Sequence, residues 1–448
     1  MIYDLLYPYQ KTIVNDLKDY DSSALFMDVG TGKSITSLAL FEQKRIQRKC
    51  DKLLIICLCA KIEEWKSDCE KWFPFEKVIV LDGKKKNKDA FYAKDYDIAI
   101  INFEKTWRST DLFLISEQTM IIIDESHKIK SCETKLGKFM QLLSLNTRYK
   151  VLLTATPMAN GYIDLYNQLY FLGYIEGTLQ RFKEKYCNEK LMYIPGMKPF
   201  KQIVSYRNTE ELDLLVNKYA RYYERKLEDD LIPSEILVPI KLEEKYHKIA
   251  KERVYKDIVL DKIGSKRIGL KALCSGTLIG KTLVDVEDLK REYQLNTYKL
   301  DWVKSFLEDF KERVVIFYMY DHQRDQLYDM ITKLKRPCAR YCAEYKEKDI
   351  FEKNDNAVVL VQYKSGSTGV DWLKQSYVGI FYCLPDSYIE YYQAKGRLNR
   401  VGQTKKPLYY LLVSNGKYSV DNINYEALMN KQDFNDEWFE QNFKLIGE

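Results

Sequence analysis

Six short apolar runs, each followed by a stretch long enough for a helix, fix what the first third of this 448-residue chain can become. They are "SSALFMDVG", "KLLIICLC", "KVIVLDG", "YDIAIINFE", "TMIIIDES" and "YKVLLTATP". The runs are rich in β-branched residues and lack the polar alternation of a half-exposed strand, so both faces of each must be covered. Strands of that kind, alternating with helices, predict a parallel sheet with helices on both sides. A second series, "RVVIFYMY", "RPCARYCAE", "AVVLVQYKS", "YVGIFYCLP" and "PLYYLLVSNG", repeats the pattern near the C-terminus. Two α/β lobes are therefore expected, at 1–170 and 299–448. Between them, over 171–298, "YNQLYFLGYIEGTLQRFKEKY" and "LEEKYHKIAKERVYKDIVLDKI" carry charged helical patterning broken by Pro195, Gly196, Pro199 and Pro233, which predicts a linker with helical insertions.

Composition removes other classes. Hydrophobic residues at 46% and charged residues at 30% describe a soluble globular chain. The longest apolar runs, such as "LLIICLCA", are far too short for a bilayer, and Asp4 sits where a signal peptide carries bases, so a cytoplasmic location is expected with no membrane partner. Ten cysteines without a CxxC pair, and His127, His247 and His322 far apart, predict reduced thiols and no zinc site. A net charge of +6 is compatible with nucleic acid but does not require it.

Chemistry enters at "ALFMDVGTGKSITSLALFEQ", a strand, a turn with Gly30, Thr31 and Gly32, and a helix opened by Lys33 and Ser34. Glycines let successive backbone N–H groups and the helix N-terminus face an anion, the lysine reaches the β and γ phosphates, and the serine hydroxyl ligates magnesium. Met27 stands where the textual P-loop pattern begins with glycine. "MIIIDESHKIK" then ends an apolar strand in Asp124 and Glu125, at the edge where open α/β sheets bind ligands. Asp124 is placed to hold magnesium and Glu125 to accept a proton from the water attacking the γ phosphate. "VLLTATPMAN" ends another strand, with Thr154 and Thr156 as hydroxyls able to sense phosphate state. The lysine-rich "LDGKKKNKDAFYAKDYD" reads as solvated surface.

In order, "LYPYQKTIVNDL", "MDVGTGKS", "LIICLCAKIEEWKSDCEKW", "IINFE", "DESH", "LLTATPMANGYIDLYNQLYFL", "VVIFYMY", "VQYKSGSTGVDWL" and "QAKGRLNRVGQTKKP" resemble the motifs of superfamily two helicases, most closely the Swi/Snf-type DNA translocase branch. The resemblance spans nearly the whole chain. It implies two RecA-like lobes, each a mostly parallel sheet flanked by helices, with ATP and magnesium as cofactors and DNA as partner. It makes Gln10 an adenine contact, Gly30 to Ser34 the phosphate cradle and Asp371 a ribose contact. Arg397 and Arg400 match arginines that reach the γ phosphate from the second lobe. Lys61, Asn102, Tyr320, Tyr363 and Lys364 lie in or beside motifs that face the nucleic-acid strand. The chain departs from the branch at Gly396 and Asn399, where Asp and His are usual, and at Glu224, where arginine is common. Ser126 replaces the alanine of DEAH, a change expected to be chemically silent.

Other readings keep part of this. An RNA-dependent helicase has the same motor, because no residue here reports a 2′-hydroxyl preference. A non-hydrolysing nucleic-acid clamp would not need the acids and arginines that are all present. A nuclease would draw on Asp230, Glu243 and Lys245, a spacing common by chance in a charged chain.

Overall fold

The computed structural model describes residues 1–158, 161–192, 200–224, 231–282, 290–363, 370–400, 402–416 and 418–443. The chain divides into two compact units, Met1–Arg225 and Lys226–Glu448. The stretch 171–298 is thus shared between them.

The first unit is built on β1 (Ser22–Met27), β2 (Lys52–Cys57), β3 (Val78–Val80), β4 (Ile98–Asn102), β5 (Thr119–Asp124), β6 (Lys150–Thr154) and β7 (Ala220–Tyr223). They form one sheet in the order β3-β4-β2-β5-β6-β1-β7, every pairing parallel. Alternate side chains serve opposite cores. Ile121 and Ile123 join Leu54, Ile56 and Leu152 on one face, while Met120 and Ile122 join Leu53, Ile55 and Val151 on the other. Burying each such isoleucine contributes about 1.5–3 kcal/mol, which is why these runs show no polar alternation.

The second unit repeats the scheme with β8 (Ser234–Lys241), β9 (Val314–Tyr318), β10 (Cys338–Tyr341), β11 (Val358–Gln362), β12 (Val378–Phe381) and β13 (Leu408–Asn415). Their order is β8-β13-β12-β9-β11-β10, again wholly parallel. All eleven runs singled out in the sequence are strands of these two sheets, so the α/β class is as expected.

The middle stretch is not simply helical. It holds a hairpin of Cys187–Met192 with Phe200–Tyr206, the edge strands β7 and β8, and an antiparallel sheet of Val254–Tyr255, Ile258–Val259, Thr277–Thr282 and Lys290–Gln294. "KERVYKDIVL", read as helix, leaves its helix at Glu252 and turns through Arg253 and Lys256, both at positive φ. A helix, Ile263–Cys274, packs against this antiparallel sheet and the C-terminal helices Val420–Met429 and Asp436–Asn442. Its Arg267 and Lys271 both pair with Asp386, and Arg267 also with Asp436 at 2.6 Å. Deeper in this unit Lys299 and Asp421 form a buried ion pair at 2.6 Å, with Lys299 also donating to the Tyr382 carbonyl at 3.1 Å. Two buried charges are tolerated there because each finds a partner. Among the described residues no helix is long and apolar enough to cross a membrane.

Candidate functional site

Because β5, β6 and β1 are neighbours in the sheet, their C-terminal ends bring together the turn after Met27, the acids after Ile123 and the turn after Leu153. The loop after β1 needs left-handed backbone at Gly30 and Gly32, both at φ 78°. A Cβ at Gly32 would also collide with the Gln10 amide. Gly32 caps the helix Lys33–Ile46, so the loop hands its free N–H groups to a helix N-terminus. Lys33 Nζ donates to the Met27 and Asp28 carbonyls at 2.8 and 2.9 Å. Burial pushes its ammonium down to about 8, Glu125 and Asp124 pull it back up, and Lys61 adds to the depression. Lys33 therefore lies within electrostatic reach of both acids.

Gln10, the expected adenine contact, is buried. Its Nε2 donates to the Thr31 carbonyl at 3.1 Å and its Oε1 accepts from the Tyr7 backbone at 2.9 Å. Thr31 in turn donates to the Asp28 carbonyl at 2.7 Å. Tyr9 also donates to the Thr31 carbonyl, at 2.8 Å, and its ring stacks on Tyr223 of β7 with centroids 3.9 Å apart. The Asp28 N–H donates to the Tyr223 carbonyl at 3.0 Å. Sequence reasoning missed this support, because "ARYY" is too short and polar to signal a strand.

Asp124 is buried at the end of β5. Its Oδ2 accepts the Trp65 indole N–H at 3.0 Å and lies 3.5 Å from Lys61 Nζ. Lys61, expected to face a nucleic-acid strand, is thus found against the proposed metal carboxylate. Glu125 sits in left-handed backbone at φ 58°, and His127 Nδ1 is 3.3 Å from its Oε2. Burial alone would raise the Glu125 carboxyl, but the hydrogen bond and charge of His127, with Lys61 and Lys33, outweigh it and hold it well below the carboxylate range. A carboxylate so held stays ionised at working pH and orients a water more readily than it retains a proton. His127 Nδ1 is also 3.4 Å from Thr154 Oγ1, which accepts the Thr156 N–H at 3.1 Å. Ser126 is not silent: its buried hydroxyl donates to Gln168 Oε1 at 2.7 Å, and Gln168 donates to the Pro157 carbonyl at 2.8 Å. An alanine has no oxygen for that bond, so here the acidic strand end is tied to the turn after β6 by two routes.

Magnesium fits this donor set. Asp124 and the Ser34 hydroxyl are hard oxygen ligands of the kind magnesium takes, and the Asp124 carboxylate already faces a cation, the Lys61 ammonium at 3.5 Å. Among the described residues no group of three or more His, Cys, Asp or Glu could hold a metal. One carboxylate and a hydroxyl match an ion that shares its coordination with nucleotide phosphates.

In the second unit Arg397 is buried in the last turn of the helix Tyr388–Leu398, and Arg400 follows it, half-buried, with its Nε donating to the Gly396 carbonyl at 3.1 Å. Asp371 opens a 3-10 turn, Asp371–Gln375. Lys364 lies outside the described residues. Asn102 caps the helix Phe103–Thr106, accepting the Lys105 N–H at 2.8 Å. Tyr363 is buried, donates to the Cys383 carbonyl at 2.7 Å and stacks on Phe317. Tyr320 precedes the helix Asp321–Lys333 with its hydroxyl turned inward and its ring stacked on His322, centroids 5.6 Å apart.

His322 gives the unit a pH dependence. Burial pushes its imidazole down to about 4, although Asp321 and Asp325 pull upward and Glu292 lies 3.7 Å from Nδ1. The folded value is below the ordinary 6.5, so between the two the unfolded chain binds more protons. The neutral ring's contribution is complete above about 6.5 and falls away toward pH 4, by up to about 3 kcal/mol. Denaturant unfolding across that range is expected to show the slope in the native protein and a flatter one in His322→Phe. Identical slopes would contradict the assignment.

The chain matches the SNF2-related domain family over residues 9–354. It is 23% identical over 479 residues to the CHD3-type chromatin-remodeling factor PICKLE of Arabidopsis thaliana, covering 92% of this chain and 33% of that protein. It is 29% identical over 157 residues to the transcription regulatory protein SNF2 of Saccharomyces cerevisiae, covering 32% of this chain and 9% of that protein. The chain therefore spans a third or less of the length of these curated relatives. A solved structure, the Sulfolobus solfataricus SWI2/SNF2 ATPase core in complex with dsDNA, aligns with 98% of this chain and 97% of its own at 20% identity and a TM-score of 0.45.

Proposed function

Since the chain belongs to the SNF2-related family, we propose that it is an ATP-driven DNA translocase, hydrolysing ATP at the loop after β1 and using the cycle to move along duplex or branched DNA. The observation that carries this reading is the convergence of Lys33, Asp124 and Glu125 beyond the ends of β1 and β5, the two strands that flank β6, with Lys33 within electrostatic reach of both carboxylates.

In this account the backbone N–H groups from Gly30 to Ser34 take the β phosphate, and Lys33 exchanges its two loop carbonyls for β and γ oxygens. Ser34 and Asp124 would hold magnesium, which would supply neutralising charge beside the phosphates. Glu125, ionised and steadied by His127, orients the attacking water. Gln10 and Tyr9 set the loop from the adenine side, and Asp371 takes the ribose. Arg397 and Arg400 reach the γ phosphate in the catalytic state, and positioned positive charge is what phosphoryl transfer needs most. Contacts to DNA go mainly to phosphates, as a tracking motor must ignore base sequence. Tyr320, Tyr363, Asn102 and Lys364 are the other candidate strand contacts beside Lys61; of these, Asn102 Oδ1 and the Tyr363 hydroxyl already make hydrogen bonds within the fold.

The test is steady-state hydrolysis with duplex DNA, single strands, branched DNA and RNA in parallel. Stimulation by duplex or branched DNA above RNA is expected. Preferential stimulation by RNA would move the reading to an RNA-dependent helicase, and no magnesium-dependent phosphate release with any of them would leave a binding clamp.

A further inference from the structure

Lys61 and Trp65 stand one helical turn apart at the start of the helix Ile62–Trp72 and meet the same oxygen, Asp124 Oδ2. The indole supplies a neutral dipole, which orients the carboxylate without cancelling its charge. Lys61 supplies the charge. An unpartnered buried carboxylate is costly, so some cation must stand beside Asp124 whenever none comes with a ligand. Lys61 is also the N-cap residue of its helix, a position where a cation opposes the helix dipole and where Ser, Thr, Asp or Asn is favoured. Its place is therefore explained by Asp124 better than by the helix. The Lys61 side chain is 18% exposed against 3% for Asp124, so its flexible stem has a way outward.

We propose that Lys61 is a resident competitor for the magnesium position at Asp124, displaced outward when metal and nucleotide load and then available to a DNA phosphate. This rests on the nucleotide-site reading above. Two cations on one carboxylate oxygen repel one another, so the ammonium and the metal exclude each other. By linkage, whatever holds Lys61 outward must tighten metal binding by the same factor that metal tightens it.

The experiment is a magnesium titration of N-methylanthraniloyl-ADP binding by the full chain, with and without duplex DNA, for the native protein, Lys61→Met and Lys61→Arg. The ratio of nucleotide affinities with and without magnesium is the readout, because it cancels any general effect of Lys61 charge on phosphate binding. Lys61→Met is expected to bind magnesium about three- to tenfold more tightly than the native protein, the scale of removing one partly exposed ion pair. It should also be indifferent to DNA, while the native protein tightens with DNA and Lys61→Arg behaves as native. Thermal melting of each variant checks that the fold persists. An unchanged metal dependence in Lys61→Met, or a native metal affinity that ignores DNA, overturns the proposal. Failure of the native protein to bind the ADP probe at any magnesium concentration removes the nucleotide-site reading itself, and this proposal with it.

Discussion

Lys33→Ala is expected to reduce ATP hydrolysis by at least about a thousandfold while leaving duplex DNA binding within about twofold, because one positioned cation at the phosphates is worth that much in rate and the strand-facing loops are untouched. Lys33 donates to the loop carbonyls of both Met27 and Asp28, which fixes its ammonium at the phosphate loop. The substitution removes two hydrogen bonds from a half-buried side chain, a loss of about 1–3 kcal/mol that a domain of this size tolerates. Phosphate release and fluorescence anisotropy on labelled duplex read the two effects separately. Retained turnover would refute the phosphate-site assignment.

Arg400→Ala is expected to bind ATP within about threefold of the native protein yet hydrolyse it on the order of 10³-fold more slowly, the loss typical of an arginine that touches the γ phosphate mainly in the transition state. Arg400 is the cleaner probe of the pair. Arg397 is buried in its helix, and removing it disturbs packing, whereas Arg400 lies beyond the helix end, half-buried, with its Nε donating to the Gly396 carbonyl one turn back. Single-turnover hydrolysis together with equilibrium nucleotide binding separates chemistry from affinity. An unimpaired single-turnover rate would mean that Arg400 never meets the reacting phosphate.

The two sheets were legible because their strands are buried on both faces and announce themselves as unbroken apolar runs. "TMIIIDES" shows it best, since every residue of β5 from Thr119 to Asp124 is buried. The middle of the chain lacked that signal. β8, "SEILVPIK", alternates exposed and buried residues at its C-terminal half and is bordered by charge, as a sheet edge must be. "KERVYK" reads as helix because lysines and glutamates favour helices, yet antiparallel pairing of Val254 with Val259 decides otherwise. In the site, glycines and acids at strand ends were readable from spacing alone. Which side chains support them was not. Trp65 has no assigned role within "LIICLCAKIEEWKSDCEKW", and only the adjacency of β2 to β5 aims its indole at Asp124. Its one sequence clue is the four-residue spacing from Lys61, which puts both on one face. The Ser126 hydroxyl needed Gln168, 42 residues away, before it meant anything.

The central claim, that nucleotide turnover at Lys33 and Glu125 moves this protein along DNA, is tested most directly by displacement of a third strand from a triplex placed downstream on a linear duplex. The native protein is expected to release the third strand with ATP and magnesium, and not with ADP or when Lys33 is alanine. Efficient ATP hydrolysis on the same duplex without any release of the third strand would contradict it.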